Sequence, residues 1–223
     1  MRYRKKEDTT FWMSYADLMS AMLMVFALLL TYVMLDYKEV LEEKEEQIEQ
    51  LLSVKNEIIF ELIEAFESSD LQIEIDQNTG AIRFPGSILY EYNSSEISEQ
   101  GEAFLEEFIP NYLGVLLQER FRNDISSIII EGHTDNEGDY LYNMALSQER
   151  AFSVLTHIYS GGFPSFPEKE DSKLFITANG RSYIQPLTDK EGNYDAERSR
   201  RVEFLFQLKD DDSIAELQKV LGE

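Results

Sequence analysis

Residues 128–155 read IIIEGHTDNEGDYLYNMALSQERAFSVL, and their pattern indicates the architecture of the second half of the chain. The apolar run that ends at Gly132 is typical of a buried strand, and the polar run after it is typical of a loop. Apolar residues at helical spacing then predict a helix over residues 139–159. The order strand, loop, helix predicts βαβ-type connections on a small sheet.

The loop and the helix carry side chains that indicate a binding site. Asp135 follows the strand, whereas Asn143, Leu146 and Arg150 share one helix face because they are three and four residues apart. Tyr142 lies beside them in sequence. A carboxylate accepts bonds from an ammonium group, and a guanidinium binds a carboxylate with its planar fork. The pair Asp135 and Arg150 therefore suits a zwitterionic ligand.

Other chemistries have less support in the same stretch. His133 and Asp135 are metal-ligand types, but no second His lies near them in sequence and the chain has no Cys. A Ser/His/Asp hydrolase would need a nucleophile elbow such as G-x-S-x-G, and the sequence contains none. We therefore expect a binding protein rather than an enzyme, with no cofactor and no metal.

The pattern around this stretch predicts a compact domain of mixed α and β elements. Before this stretch we expect a hairpin over LQIEID and AIRF with its turn at Gly80, and then a helix capped by Ser98 that is bent or interrupted at Pro110. Strands are expected in DISSIIIEG, KLFITAN and RRVEFLFQL. The chain should end in a short helix capped by Asp212 or Ser213.

The most apolar part of the chain begins with FWMSYADLMSAMLMVFALLL, residues 11–30. Residues 11–35 contain one charged side chain, Asp17, and at about 1.5 Å per residue they can cross a hydrocarbon core of roughly 30 Å. Basic residues precede this segment and a net acidic stretch follows it, so the N-terminus is expected in the cytoplasm. The segment is too long for a typical signal peptide, and no small-residue cleavage pattern follows it.

Residues 36–68 contain no Gly or Pro and predict a charged amphipathic helix. Its narrow apolar stripe, interrupted by one Lys, consists of Leu41, Ile48, Leu52, Lys55, Ile59, Leu62 and Phe66. We call this helix the stalk and expect it to pair with the stalk of a second copy of the chain. Packing of the same stripe on the chain's own globular domain is the alternative.

The overall charge restricts the possible partners. The chain has 43 acidic and 20 basic residues, a formal net charge of −23, and a mean hydropathy of −0.34. Such a surface repels a polyanion, so nucleic acid is not expected as a partner. The negative mean hydropathy indicates a mostly aqueous protein, with its apolar residues concentrated in the predicted span.

Three motifs in order, IEGHTDNEG, YNMALSQERAFSVL and ERSRRVEF, make residues 80–208 resemble the OmpA-like peptidoglycan-binding domain. The resemblance implies that Asp135 and Arg150 clamp the diaminopimelate part of the stem peptide, and that Thr134, Tyr142, Asn143 and Leu146 line the groove. It also implies that one of Arg200 and Arg201 supports the site while the other faces solvent. Ser199 stands where the family commonly has Asn, which leaves that contact in doubt.

The run WMSYADLMSAM resembles the membrane helix of MotB-type motor subunits, in which the aspartate carries an ion. The resemblance gives that role to Asp17, about 9 Å inside the span, with Ser14 and Ser20 beside it. An ionised acid costs about 2.5–3.5 kcal/mol at mid-membrane and far less when protonated or paired, so a motor can cycle it. The ion can be H⁺ or Na⁺. A structural Asp that bonds a neighbouring helix is the plainer interpretation.

Together the predictions describe an α+β protein of the inner membrane with one transmembrane helix, a coiled-coil-like stalk and an OmpA-like α/β sandwich in the periplasm. The segments are a basic cytoplasmic tip at 1–10, the span at 11–35, the stalk at 36–69, the wall domain at 70–210 and a tail helix at 211–223.

The resemblance implies a homodimer within a pentameric ring of a MotA-like or ZorA-like membrane protein, in contact with lipid and peptidoglycan. The short helical stalk and FWMSYADLM resemble the ZorB family of Zorya antiphage defence. A flagellar stator subunit and a passive OmpA-like tether between membrane and wall remain alternatives.

Overall fold

The computed structural model describes residues 5–67 and 69–209, so the predicted tail helix lies outside the described residues. Within them the chain divides into two units, Met1–Gln50 and Leu51–Glu223. The first helix, α1, runs over Lys5–Glu67 and therefore contributes to both units. The helical character predicted for the span and for the stalk is confirmed over this length.

In the first unit α1 is apolar and has no packing partner within the described residues. All of its described side chains from residue 12 to 40 are exposed, including Trp12, Phe26 and Leu29. One 18-residue window reaches a mean hydropathy of 2.4, so the helix is long and apolar enough to cross a membrane. A helix that is apolar on every side is stable in lipid but would expose its surface at high cost in water.

The second unit contains a five-stranded sheet in the order β1-β2-β5-β3-β4. Its strands are β1 (Glu74–Ile75), β2 (Ile82–Pro85), β3 (Ile125–Gly132), β4 (Ile176–Gly180) and β5 (Arg201–Leu208). Neighbouring strands are antiparallel, except that β3 and β4 are parallel. The parallel pair is joined through a helix, which confirms the βαβ-type connection predicted from residues 128–155.

The two longer helices of this unit begin at a residue whose side chain caps them. The helices of the unit are α2 (Gly86–Leu89), α3 (Glu99–Leu116), α4 (Tyr140–Ile158), α5 (Lys169–Ser172) and α6 (Ala196–Ser199). Ser98 accepts from Gly101 N at the start of α3, and Asp139 accepts from Leu141 N at the start of α4. The first of these caps confirms the predicted role of Ser98.

Pro110 lies inside α3 without interrupting it, contrary to one of the two predicted outcomes. A proline removes one backbone donor from a helix and normally weakens it. Leu105, Ile109, Leu113 and Leu116 are all buried on the two sides of the proline. Burial of these side chains offsets the missing hydrogen bond, so the helix continues to Leu116.

The two faces of the sheet have different chemistry. Strand residues of one face, such as Phe84 and Phe204, pack on α3, where the Phe108 ring lies 4.9 Å from that of Phe204. Alternate residues on the other face are charged: Arg83 pairs with Glu203, which lies opposite it in the register. The apolar face forms the core, and the charged face forms ion pairs that are covered by loops.

The compact unit begins earlier than the predicted boundary at residue 70. Ile58, Ile59, Leu62 and Phe66 of α1 are buried in its core, and the Phe66 ring stacks on Phe108 at 5.3 Å. The last part of the predicted pairing stripe therefore packs on its own globular unit, which was the alternative for this stripe. Pairing with a second copy remains a prediction for its earlier part.

Candidate functional site

The loop between β3 and α4 brings Asp135 and Arg200 together. Arg200 Nη1 donates to Asp135 Oδ2 over 2.6 Å, and Glu137 N donates to Asp135 Oδ1 over 3.0 Å. Asp135 is only 7% exposed, so its charge is largely removed from water and depends on these donors. The bond to Asp135 raises the pKa of Arg200 above its ordinary value.

Arg150 projects from α4 into the same region and is held by the loop that follows α2. Its Nε donates to Ser94 O over 2.9 Å, and its guanidinium lies 5.1 Å from the centre of the Tyr90 ring. The hydroxyl of Tyr90 donates to the backbone carbonyl of Arg150 over 2.6 Å. Burial lowers the pKa of Arg150 from its ordinary value, but a guanidinium keeps its charge in proteins.

A pocket of about 160 Å³ opens between these elements. It is lined by Gly86, Ser87, Tyr90, Glu91, Tyr92, Arg150, Glu197 and Arg200. The guanidinium groups of Arg150 and Arg200 and the carboxylates of Glu91 and Glu197 thus line one concave space, whereas Asp135 does not line it but pairs with Arg200, which does. The arrangement suits a small ligand that carries both charges, which is the kind of ligand predicted from the sequence.

The other predicted groove residues have separate positions around this pocket. Tyr142 is about half exposed and donates its hydroxyl to Asn93 Oδ1, whereas Leu146 is half-buried on the next turn of α4. Asn143 is buried, and its Nδ2 donates to Glu137 O over 2.8 Å. Asn143 therefore holds the loop in place rather than facing the pocket.

Thr134 lies under the loop, next to Asp135. Its backbone N donates to Ser182 O over 3.0 Å, and the residue is 4% exposed. Within the part of the chain that the structure describes, its Oγ1 has no hydrogen-bond partner. A buried hydroxyl without a partner costs free energy, so this group is available to a ligand atom that enters beside Asp135.

The expectation that Arg200 or Arg201 faces solvent is wrong. Arg200 joins the site, and Arg201 is 4% exposed on the charged face of the sheet. Arg201 pairs with Glu203, and its Nη1 donates to Gln185 O over 3.1 Å. An arginine can be buried in this way because a carboxylate and backbone oxygens compensate its charge.

Ser199, which stands where the OmpA-like pattern commonly has Asn, is fully buried. Its Oγ donates to Asp195 O over 2.6 Å and accepts from Leu187 N over 3.0 Å. These bonds fasten α6 to the preceding loop. The position that was in doubt is therefore occupied by a side chain that stabilises the loop.

His133 is adjacent to the site in sequence but lies on the charged face of the sheet. Its Nε2 is 3.6 Å from Glu131 Oε2, beyond hydrogen-bond distance, and the ring is 1% exposed. Burial lowers the pKa of His133 below its ordinary value, which keeps the ring neutral. The histidine is packed at the carboxyl end of β3, an interior strand of the sheet.

Sequence reasoning missed the residues that hold Arg150 and Tyr142, because they lie far from these two residues in the chain. Tyr90, Asn93 and Ser94 bond Arg150 or Tyr142 from a loop that is about 50 residues earlier. The sequence YEYNSSE gives a turn signal at most. Contacts of this range depend on how α2 packs against α4.

The predicted ion site lies in the first unit. Asp17 shares one side of α1 with Ser14, Leu18 and Ala21. Ser20 Oγ donates to Ala16 O over 2.8 Å, so its proton is used within the helix while its oxygen can still accept. The structure thus puts Ser14 beside Asp17 and directs the hydroxyl of Ser20 along the backbone.

The sheet, the helices on one of its faces and the paired groove define an OmpA-like domain, carried by a chain with one long apolar helix. The profile described as the OmpA family matches residues 89–200. This match includes Asp135, Arg150 and Arg200.

Comparisons over the whole chain indicate a protein family that is narrower than the OmpA family. Zorya protein ZorB from Escherichia coli (strain Crooks) is 31% identical over 214 residues, which are 90% of this chain and 89% of that protein. Zorya protein ZorB from Escherichia coli O139:H28 is 28% identical over 222 residues, 94% of this chain and 86% of that protein. This chain belongs to the ZorB family.

A solved structure shares the fold. The crystal structure of a MotB-like protein from Desulfovibrio vulgaris aligns with a TM-score of 0.52 at 20% identity. The alignment covers 73% of this chain and 96% of that protein. At this identity the likeness concerns the fold alone.

Proposed function

We propose that this protein is the wall-anchored subunit of an ion-driven membrane motor that serves Zorya-type antiphage defence. Its OmpA-like domain fixes the subunit to peptidoglycan, and Asp17 carries H⁺ or Na⁺ within the membrane. The proposal depends above all on one observation: a buried acid, Asp135, is paired with Arg200, which lines a pocket of about 160 Å³ together with the buried Arg150.

The geometry of the groove suits the zwitterionic centre of a stem peptide. Arg150 uses Nε for Ser94 O, which leaves the outer nitrogens of its guanidinium for a ligand carboxylate. Asp135 accepts from Arg200 and can also accept from a ligand ammonium, since a carboxylate has about four lone-pair sites. Partial burial strengthens both interactions relative to water.

The apolar helix supports membrane insertion with the domain on the outer side. Aromatic side chains lie near both ends of the apolar segment, with Trp12 and Tyr15 at one end and Tyr32 and Tyr37 at the other. Such side chains anchor helices at the two membrane interfaces. Basic residues before the span and acidic residues after it favour a cytoplasmic N-terminus and a wall domain on the periplasmic side of the inner membrane.

Asp17 then lies two residues beyond Tyr15 and five beyond Trp12, near the cytoplasmic end of the span. An intramembrane acid is costly unless it is protonated or paired, and each charge that crosses about 100 mV releases about 2.3 kcal/mol. A single helix encloses no path, so the ion needs partner helices. We therefore propose two copies of this chain, paired through the early stalk, inside a pentameric ring of a ZorA-like protein.

The proposal is tested by two variants in cells that carry the complete defence system and are challenged with phage. Asp17→Asn should abolish protection while the full-length protein still sediments with purified sacculi. Asp135→Ala should abolish both protection and sedimentation. Asp36→Asn and Asp70→Ala are matched controls, because each removes an acid from an exposed position outside the two sites, and both should protect like the wild type.

Two results would contradict the proposal in different ways. If Asp17→Asn still protects cells from phage, the ion-carrying role is excluded, and the function that remains is that of a passive tether between membrane and wall. Sedimentation of Asp135→Ala with sacculi at the wild-type level would show that the groove is not the wall site.

A further inference from the structure

An exposed apolar corner lies next to the loop that carries Asp135, and its residues do not line the pocket of Arg150 and Arg200. Tyr140 is 41% exposed, Leu141 71% and Ile184 59%, and Tyr183 is half-buried beside them. Tyr140 and Leu141 open α4 immediately after the loop of Asp135, whereas Tyr183 and Ile184 follow β4. Two separate elements thus present apolar side chains at the same edge of the sheet.

The two tyrosine rings form a right-angled corner. Their centroids are 6.0 Å apart, and the angle between their planes is 82°. This edge-to-face arrangement fixes both rings at low conformational cost. A flat ligand can therefore rest on one ring while its edge contacts the other.

The backbone beneath the corner is strained. Ser182 is fully buried and has a φ of 52°, in the left-handed region that side chains other than glycine rarely adopt. Its N donates to Ser147 Oγ over 2.9 Å, and its O accepts from Thr134 N over 3.0 Å. Strain that several bonds maintain is typical of ligand sites, and here it turns Tyr183 towards Tyr140.

We infer that this corner is a subsite for the sugar rings of the glycan strand, adjoining the groove that takes the stem peptide. The inference rests on the proposed wall-binding function and names a second part of the ligand. Ser182 O accepts from the backbone N of Thr134, the residue before Asp135, so the corner adjoins the loop that carries Asp135. The glycan is the part of the wall polymer to which the stem peptide is attached.

The chemistry of the corner fits a sugar better than another protein. Sugar rings present C–H groups on their faces, which pack on aromatic rings, and hydroxyl groups on their edges, which bond tyrosine hydroxyls. The four side chains form a patch far smaller than the roughly 800 Å² per partner that a stable protein interface needs.

Two soluble wall fragments test the inference with full-length protein in detergent micelles. One is the free tetrapeptide that contains diaminopimelate, and the other is the same tetrapeptide attached to its disaccharide. The wild type should bind the disaccharide–peptide about tenfold more tightly than the free peptide. One aromatic contact of about 1.4 kcal/mol provides this factor. Tyr140→Ala and Tyr183→Ala should each reduce that ratio towards one without changing the affinity for the free peptide.

Phe152→Ala and Leu174→Ala are the matched controls, because they remove exposed apolar side chains outside the corner, and both should keep the wild-type ratio. Retention of the peptide affinity shows that the tyrosine variants are folded. If the wild type binds both fragments equally, or the tyrosine variants keep the ratio, the sugar subsite is refuted. If the wild type binds neither fragment, the proposed wall anchoring fails as well.

Discussion

Arg200 donates to the buried carboxylate of Asp135 over 2.6 Å although the two residues are 65 positions apart in the chain. Arg200 also lines the pocket that Arg150 enters, whereas the second oxygen of Asp135 accepts from Glu137 N. Arg200 therefore both orients the acid and adds positive charge where a ligand carboxylate would lie.

Replacing Arg200 tests whether it assists the ligand or competes with it. Arg200→Gln removes the charge and keeps a donor, so Asp135 loses its orientation and the pocket loses attraction for a carboxylate. We expect the affinity for a diaminopimelate-containing peptide to fall about tenfold, as measured by calorimetry. Stability should fall by about 1 kcal/mol or less, because the Arg200 side chain is partly exposed.

Arg198→Gln is the control for this variant, since Arg198 pairs with Glu74 away from the groove and its loss should not alter the affinity. Tighter binding by Arg200→Gln would mean that Arg200 blocks Asp135 in the free protein.

Gly132 allows α4 to approach the sheet at the start of the site loop. A Cβ at this position would lie 2.2 Å from Ser147 O, a backbone atom that cannot move without the helix. Gly132→Ala should therefore lower the free energy of unfolding by about 3 kcal/mol and weaken peptide binding with it. Urea titration of the chain from residue 51 onward measures the first effect.

Gly114→Ala is the opposite case for the same substitution. It lies inside α3, and apart from the adjacent backbone of the helix itself no atom of the described residues comes within 4 Å of its added Cβ. The better helix propensity of alanine should raise stability by about 1 kcal/mol. Equal effects at the two positions would contradict the packing argument.

Local pattern was enough to predict the strands and α4, whereas the joint binding of one ligand by Asp135 and Arg150 stays a prediction, because the structure pairs Asp135 with Arg200. The apolar period of α4 orients Arg150, and the end of β3 positions the loop of Asp135. These features depend on residues close together in sequence, so periodicity and turn signals report them.

The burial of Arg201 could not be predicted from such patterns. Its burial requires Glu203 on the same strand face and the carbonyl of Gln185, which a distant loop supplies. The same holds for the docking of Phe66 on Phe108, which assigns the end of the stalk to the globular unit. An apolar stripe indicates that a helix packs, but not against what.

His133 makes stability depend on pH. Burial lowers its pKa in the folded protein, while in the unfolded chain the pKa stays near 6.5. Above about pH 6.5 the ring is neutral in both states and stability is complete. As the pH falls below about 6.5 the unfolded chain binds the extra proton, so the free energy of unfolding decreases by at most about 1.4 kcal/mol per pH unit.

The groups that face this ring are Glu131, Arg201 and Glu203, whose charges partly oppose one another. His133→Gln cannot be protonated, so it should flatten the dependence in urea titrations of the chain from residue 51 onward. The titrations are made between about pH 7 and about pH 5.5, on the two sides of the ordinary pKa of a histidine. An unchanged slope in this variant would assign the dependence to other groups.

The end of α1 gives the last prediction, which concerns where the wall domain begins. Leu62 is fully buried in the core of the globular unit, so Leu62→Ala should cost about 3 kcal/mol of unfolding free energy. Leu52 is 39% exposed on the same helix, and Leu52→Ala should cost less than about 1 kcal/mol. Both variants replace a leucine of α1 by alanine, so helix propensity changes equally in the two. The difference between their unfolding free energies therefore measures core packing.

Truncation tests the same boundary more severely. A chain that starts at residue 70 lacks Ile58, Ile59, Leu62 and Phe66, whose burial contributes about 2 kcal/mol each. That loss is comparable with the whole stability of a typical domain, about 5–15 kcal/mol. The chain from residue 51 should give a cooperative thermal transition by circular dichroism, and the chain from residue 70 should not. A cooperative transition at a similar temperature in both would show that α1 only rests on the domain.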